Sequence, residues 1–503
     1  MNGGGIYVKV AVVQLDGGEV RENDAGMNGG GLYVAAGSAT MNGGVILANT
    51  ASTSGAGVYV SAGTATLSAG QVAANVATGS GGGVYVAQSG ATFTQSGSGV
   101  IDHNTAVDGG GVYISLGHGV LNAGQILSNT AGANGGGVFV GQGRATWAGG
   151  QVVGNVAAGD GGGVYNSAGV VTGNPTVTRN VVSSSNGGGL YNANAMTLTH
   201  AVVTENTADH GGGVFNAGAM LLDDVQVDDN TATAQGGGIA GVDAVLTLRN
   251  SRVSGNAATS GGGVYLEGGE AAFSANTLFD NTAAQGGGGV YLNGSDAVLV
   301  NNIFAGNTAT SGGGAALRVS GGAAPELVHN TIANNTGASG ILVNGSALAL
   351  TNTILVTHTT GLQTESGGSV TLDATLWNGN TSDWVGDNID CQNDRFGAPA
   401  FEDPANDNYH LIPWISAAID VGVDAGVTVD FEGSARPQGA GFDIGAFEEP
   451  ETGLALVKTV EPADVMPWQT ITYTLVYTNS VSYTHLRAHE TVLDLVCRLL
   501  LEK

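Results

Sequence analysis

Basic residues are scarce in this sequence. Thirteen lysines and arginines stand against 41 aspartates and glutamates in 503 residues, giving a formal net charge of -28 and a pI near 4.3. Nucleic acid and anionic lipid are bound through a basic footprint that neutralises phosphates, and a chain this acidic is expected to bind neither. Cysteine is almost absent: Cys391 and Cys497 stand far apart, which leaves no disulfide framework and no thiolate metal site. No apolar run is long enough to cross a membrane as a helix. Aromatic residues make up 6% of the chain, which together with 88 glycines would suggest disorder if the chain had no internal order.

The order lies in a repeat. An apolar residue follows a glycine run at Ile6, Leu32, Val58, Val84, Val112, Val138, Val164, Leu190, Val214, Ile239, Val264, Val290, Ala315 and Ile341, in steps of 24 to 28 residues. A second landmark, apolar-x-x-Asn, keeps the same step. Its asparagines include Asn49, Asn75, Asn104, Asn129, Asn155, Asn180, Asn206, Asn230, Asn256, Asn281 and Asn307. Between the landmarks the residues alternate apolar and polar, as in Ala65–Val72 and Ala244–Leu248, which is the period of a strand. Glycine clusters and Asn mark tight turns. Helical periodicity is missing, and the step is too long for a leucine-rich horseshoe and too short for a propeller blade.

Three short strands and three turns fill about 25 residues, and this predicts an all-β fold, a right-handed parallel β-helix of about 14 or more rungs. At about 4.8 Å per rung, fourteen rungs make a rod of about 65 Å. Valine, isoleucine and leucine are expected to stack in a narrow core, and the eleven asparagines in a hydrogen-bonded structural ladder. The Tyr or Phe after the apolar landmark, from Tyr7 to Tyr291, alternates to the outer face as an aromatic stripe. Stacked rings strengthen a sheet, and an aromatic ribbon also suits sugar binding; the structural role is the favoured one.

The candidates for chemistry are few. Asp223, Asp224, Asp228 and Asp229 are two pairs of carboxylates, a candidate Ca²⁺ site of hard oxygen ligands. The repeats lack the nonapeptide of calcium β-rolls, so periodic calcium is excluded and no other cofactor is expected. The same pairs, with Gly117-His118-Gly119, resemble elements of polygalacturonases, and many polysaccharide lyases and glycoside hydrolases are β-helices. Paired carboxylates suit attack on a glycosidic bond. However, His118 precedes the aspartates by about four rungs, about 19 Å. Lys9, Arg21, Arg144, Arg179, Arg249, Arg252 and Arg318 read as not clustering with them. No catalytic residue is therefore assigned.

The repeats resemble those of the polymorphic outer-membrane proteins, whose Phe-x-x-Asn motif Phe304-Ala-Gly-Asn307 matches literally while the other copies carry Val, Ile or Leu. Residues 401–449, with Ser416-Ala-Ala-Ile-Asp420 and Asp443-Ile-Gly-Ala-Phe-Glu448, resemble the terminal segment of bacterial choice-of-anchor Q β-helix proteins, with Ala417 where that family usually has Pro. The resemblance implies a cap closing the last rung. Residues 450–480 resemble the opening strands of a DUF11 module, too short to close an Ig-like sandwich. Residues 481–503 contain no glycine, resemble translated sequencing-adapter read-through, and are set aside from fold reasoning. Residues 1–400 are then the β-helix repeats; because Met1 opens inside a repeat, a truncated N-terminus that has lost a signal peptide is expected. These resemblances imply an exported bacterial surface protein: a non-enzymatic, adhesin-like monomeric rod facing glycans or cell-surface proteins. The alternative is a polysaccharide lyase or glycoside hydrolase.

Overall fold

Residues one repeat apart become neighbours in space. In the computed structural model Ile6 pairs with Leu32, Leu32 with Val58, and so on up the chain, each strand parallel to the strand one coil later. The structure describes residues 2–450 and two further strands, Leu454–Glu461 and Thr472–Asn479. Three parallel sheets of 16 strands each run the length of the coil. The first begins at Ile6–Val8 and ends at Ser382–Val385, the second runs from Val12–Leu15 to Ile389–Gln392, and the third from Glu19–Arg21 to Arg395–Phe396. Sixteen coils at about 4.8 Å each make a rod of about 70 Å.

The structure adds a fourth side to the three-strand rung. A sheet of 12 two- to five-residue strands runs from Asp24–Ala25 to Thr308–Ala309. Its Thr-Ala or Val-Ala pairs bury the alanine and expose its neighbour, as in Thr50–Ala51 and Val76–Ala77. Two residues are too short to show alternation, so the sequence reads this side as a turn. The side is absent from later coils, where the repeat shortens. The only other regular turn among the described residues is a 3-10 turn at Pro404–Asn406, and no helix there is long and apolar enough to cross a membrane.

The glycine runs sit at the corner leading into the first sheet, where backbones approach too closely for a side chain. Gly81 adopts φ +68°, and a Cβ on Gly83 would lie 2.6 Å from the Gly111 carbonyl oxygen one coil later. Inside, one apolar cluster runs from Val8 to Trp377. Unequal residues compensate between coils: Phe93 lies in register with Gly119, and Trp147 with Gly173.

The eleven asparagines named above are fully buried and form one column. Each donates Nδ2–H to the Oδ1 of the next at 2.9–3.0 Å, and that same Oδ1 also accepts a backbone N–H. A second bond from Nδ2 reaches a carbonyl of the preceding coil, as from Asn206 to Val177 at 3.0 Å. The amides therefore satisfy backbone groups that the turn would leave orphaned in a dry interior. The column extends to Asn23 below and Asn335 above, and the next position is His358. Its Nε2 accepts from Asn335 Nδ2 at 3.3 Å and its Nδ1–H donates to Asn380 Oδ1 at 3.2 Å, so the neutral ring takes the place of an amide. Burial lowers its pKa from 6.5 to about 4. Shorter ladders run through Asn166, Asn192 and Asn216 and through Asn276, Asn302 and Asn330.

Residues Leu454–Glu461 and Thr472–Asn479 form an antiparallel pair in continuous register from Leu454 with Asn479 to Glu461 with Thr472. The rest of the DUF11-like segment and the whole of 481–503 lie outside the described residues.

Asn206→Ala removes four ladder bonds and strands Val177 O and the Asn180 amide. It is expected to lower the unfolding free energy by roughly 2–4 kcal/mol. Urea denaturation of this variant against the exposed Asn122→Ala checks it; equal midpoints would show that the ladder carries no stability. His358 binds its proton far less readily folded than unfolded. Its contribution to stability is complete above 6.5, falls as pH drops below it, and stops changing below about 4. The stability of wild type relative to His358→Asn should therefore decline across that window by up to about 1.4 kcal/mol per pH unit. Denaturant midpoints at stepped pH measure that difference, and parallel curves would refute it.

Candidate functional site

The first sheet carries an aromatic column on its outer side. Tyr7, Tyr33, Tyr59, Tyr85, Tyr113, Phe139, Tyr165, Tyr191 and Phe215 stack ring on ring, with centroids 4.6–5.3 Å apart. Rung spacing sets this distance, and parallel strands in register leave each ring facing the next. The rings largely cover one another: Tyr33, Phe139 and Phe215 are buried and most others half-buried, so the column presents edges rather than open faces. Burial, with neighbouring tyrosines, pushes Tyr59 and Tyr113 up to about 12. Ala240 breaks the column between Phe215 and Tyr265, and Arg318 lies 4.9 Å over the Tyr291 ring beyond it.

His118 and the four aspartates stand on different coils, four strands apart in the second sheet for His118 and Asp223. Asp223 ends a second-sheet strand, and Asp228 ends the following third-sheet strand. Asp224 and Asp229 take left-handed backbone at the turns. The structure corrects the reading that the arginines stand apart from them. Arg249 Nη2 lies 2.8 Å from Asp223 Oδ2 and Arg252 Nε lies 3.6 Å from Asp228 Oδ1, each on the next coil. The 26-residue offset from 223 to 249 is one repeat, a signal present in the sequence. Asp224 pairs with His200 at 3.2 Å. The Arg249 hydrogen bond holds the Asp223 carboxyl below its ordinary range, whereas burial raises that of Asp228. Asp223, Asp224 and Asp228 thus each face a different basic side chain, and Asp229 stands apart at its turn. Among the described residues no group of three or more His, Cys, Asp or Glu side chains is placed to hold a metal ion, so the arrangement does not fit the calcium candidate.

A shallow groove of about 340 Å³ opens beside His118 and Arg144, walled by Leu116 and Val170 with Ser89 and Gln142 at its margin. His118 Nε2 lies 3.0 Å from Thr146 Oγ1. A second, of about 550 Å³, lies where the fourth sheet stops, between Thr308–Ser311 and Thr357–Thr359.

Residues 401–449 do not close the last rung. They lie along the outer face of the third sheet, where Tyr409, Leu411, Ile444 and Phe447 pack on Phe279, Ile303, Ile354 and Leu376 from several coils. Phe396, on the last coil, remains 65% exposed. Asn301 donates to Val429 O at 2.8 Å, Asn352 is bonded to both backbone groups of Val423, and Ala446 N–H donates to Thr331 Oγ1 at 3.0 Å. Within the segment Arg436 Nη1 meets Glu448 Oε2 at 2.8 Å, both side chains wholly buried. The sequence signal is partial. Outward positions of the third sheet mix polar and apolar residues on the earlier coils, as in Gln125, Leu127, Val153, Thr176, Val202 and Asp228. They are richer in apolar residues at Phe279, Ile303, Ala305, Ala333, Ile354, Val356 and Leu376, with Thr331 among them.

Comparison with known proteins agrees with this architecture. The family model described as a right handed beta helix region matches residues 162–309 and 262–385. No curated protein matches the sequence. One solved structure, that of pectate lyase Pel9A, aligns over 78% of this chain and 88% of that one at 11% identity and a TM-score of 0.32, a likeness that carries no argument about activity. With three 16-stranded parallel sheets wound around one apolar column and a matching family model, the chain is a right-handed parallel β-helix.

Proposed function

We propose that this chain is a non-enzymatic, exported bacterial surface protein, a rigid rod that displays repeated faces for adhesion to glycans or to proteins of other cells. The observation that carries the reading is the translational repetition of the outward columns. An aromatic edge, a threonine hydroxyl or a turn recurs over runs of successive rungs, which gives many weak, equally spaced contacts rather than one converging site. Multivalent attachment gains affinity from such repetition. Acid–base catalysis needs titratable groups focused on one bond. Here Asp223 and Asp228 face Arg249 and Arg252 instead. The resemblance to polymorphic outer-membrane-protein repeats and to choice-of-anchor Q segments supports export and surface attachment. The high acidic charge supports solubility outside the cell.

The test is a panel of polysaccharides incubated with the chain, with and without calcium, and assayed for new reducing ends or unsaturated sugars, then screened for binding. Binding without turnover is the expected result. Turnover on any member would replace the rod with a carbohydrate-active enzyme, and turnover that requires calcium would restore Asp223, Asp224, Asp228 and Asp229 as ligands.

A further inference from the structure

The acidity of this chain is unevenly placed. Residues 25–204 carry three carboxylates, Asp102, Asp108 and Asp160, against two arginines, Arg144 and Arg179. The outward positions of the second sheet are emptier still. Two columns run up that face: Ser38, Thr64, Thr92, His118, Arg144 and Val170 in one, and Thr40, Thr66, Thr94, Val120, Thr146 and Thr172 in the other. Asp223 is the first carboxylate on these strands.

Arg144 is unusual among the arginines. Arg21, Arg179, Arg249, Arg252 and Arg436 each meet a carboxylate, Arg318 lies over Tyr291, and Arg395 donates to backbone carbonyls. Arg144 is exposed and has no ion-pair or hydrogen-bond partner among the described residues, although its side chain borders the groove beside His118. His118 stands directly below it in register, held by Thr146. Partial burial and the Arg144 charge keep the imidazole below its ordinary pKa, so it serves as a neutral hydrogen-bonding group and the guanidinium is the local charge.

We propose that the Arg144–His118 groove binds the carboxylate of an acidic saccharide lying across the rungs of the second sheet. The guanidinium is a planar two-point donor matched to a carboxylate. Ser89, Gln142 and the threonine columns offer donors and acceptors to hydroxyl groups. Leu116 and Val170, both exposed, give an apolar shelf for the C–H face of a sugar ring. The rung step of about 4.8 Å is close to the length of one pyranose, so successive sugars meet successive hydroxyls. An acidic peptide would also satisfy Arg144, but a hydroxyl array on a flat face favours the polyhydroxylated ligand.

This proposal rests on the reading of the rod as a binding surface, and the experiment separates the two. Calorimetric titration of the full chain with alginate oligosaccharides, and with the same oligosaccharides after carboxyl reduction, is compared across wild type, Arg144→Gln and Arg249→Gln. The expected result is binding of the acidic form that weakens about tenfold or more on carboxyl reduction and on Arg144→Gln, with Arg249→Gln unchanged. No binding of the acidic form, equal binding of the reduced form, or indifference to Arg144 overturns the site while leaving adhesion through other faces intact. Cleavage of the oligosaccharide during titration overturns the rod reading itself.

Discussion

Parallel pairing in strict register governs this molecule. A residue one repeat later lies directly above its counterpart at about 4.8 Å, so each strand position must be occupied by side chains that tolerate their own kind or near kind as neighbours. Valine and leucine do so by apolar contact, asparagine by amide-to-amide hydrogen bonding, tyrosine by ring stacking and threonine by its short branched chain. Like charges do not, which accounts for the low charged fraction of the chain. Where charged residues enter columns on neighbouring coils, they mostly pair with the opposite sign: Asp223 with Arg249, Asp228 with Arg252 and Arg179 with Glu205. Glu270 and Asp296 are in register with the same sign, and both are exposed, where water and salt screen them.

The same constraint explains what was legible in the sequence. The repeat positions are themselves the contact map, so the apolar core, the aromatic column and the asparagine positions could be placed by subtraction of about 26. Other features obeyed the rule but went unread. The Arg249–Asp223 and Arg252–Asp228 pairs are one repeat apart or nearly so, and Asn276, Asn302 and Asn330 form a ladder with the same offset. The fourth sheet escaped because two residues cannot display a period. The placement of 401–449 escaped for a different reason. Its contacts are non-local, from Arg436 to Asn301 and from Ala446 to Thr331, and no period links them. A denser run of apolar residues on the outer third sheet, from Phe279 to Leu376, is a partial mark of where that segment lies.

That lateral segment alters the energetic picture of the rod. A solenoid is stabilised chiefly by nearest-neighbour interfaces, and each coil answers to the ones beside it. Residues 401–449 tie Asn301, Thr331 and Asn352, from different coils, to one folded strap. Its buried Arg436–Glu448 pair has all its worth in being intact, because removing either partner would leave a charge uncompensated in a dry setting. The strap therefore couples several upper coils to one another, whereas each lower coil is held by the core, the aromatic column and the asparagine column it shares with its neighbours.

In a structure built on sameness, specificity arises where a column is broken. Ala240 interrupts the tyrosines, His358 replaces an asparagine, the fourth sheet stops after Ala309, and His118 with Arg144 interrupts the threonines. The first two are accommodated internally: Ala240 is buried, and the His358 ring accepts from Asn335 and donates to Asn380, two of the bonds an amide would make there. The end of the fourth sheet follows from a shorter repeat. The break at His118 and Arg144 places a guanidinium on an open face with no ion-pair, hydrogen-bond or ring partner among the described residues, whereas Arg318, which also breaks a column, lies over Tyr291 and donates to Gln285 O. A column break that restores neither packing nor charge balance gains nothing for the fold, and a ligand supplied from outside is the physical circumstance that would complete it.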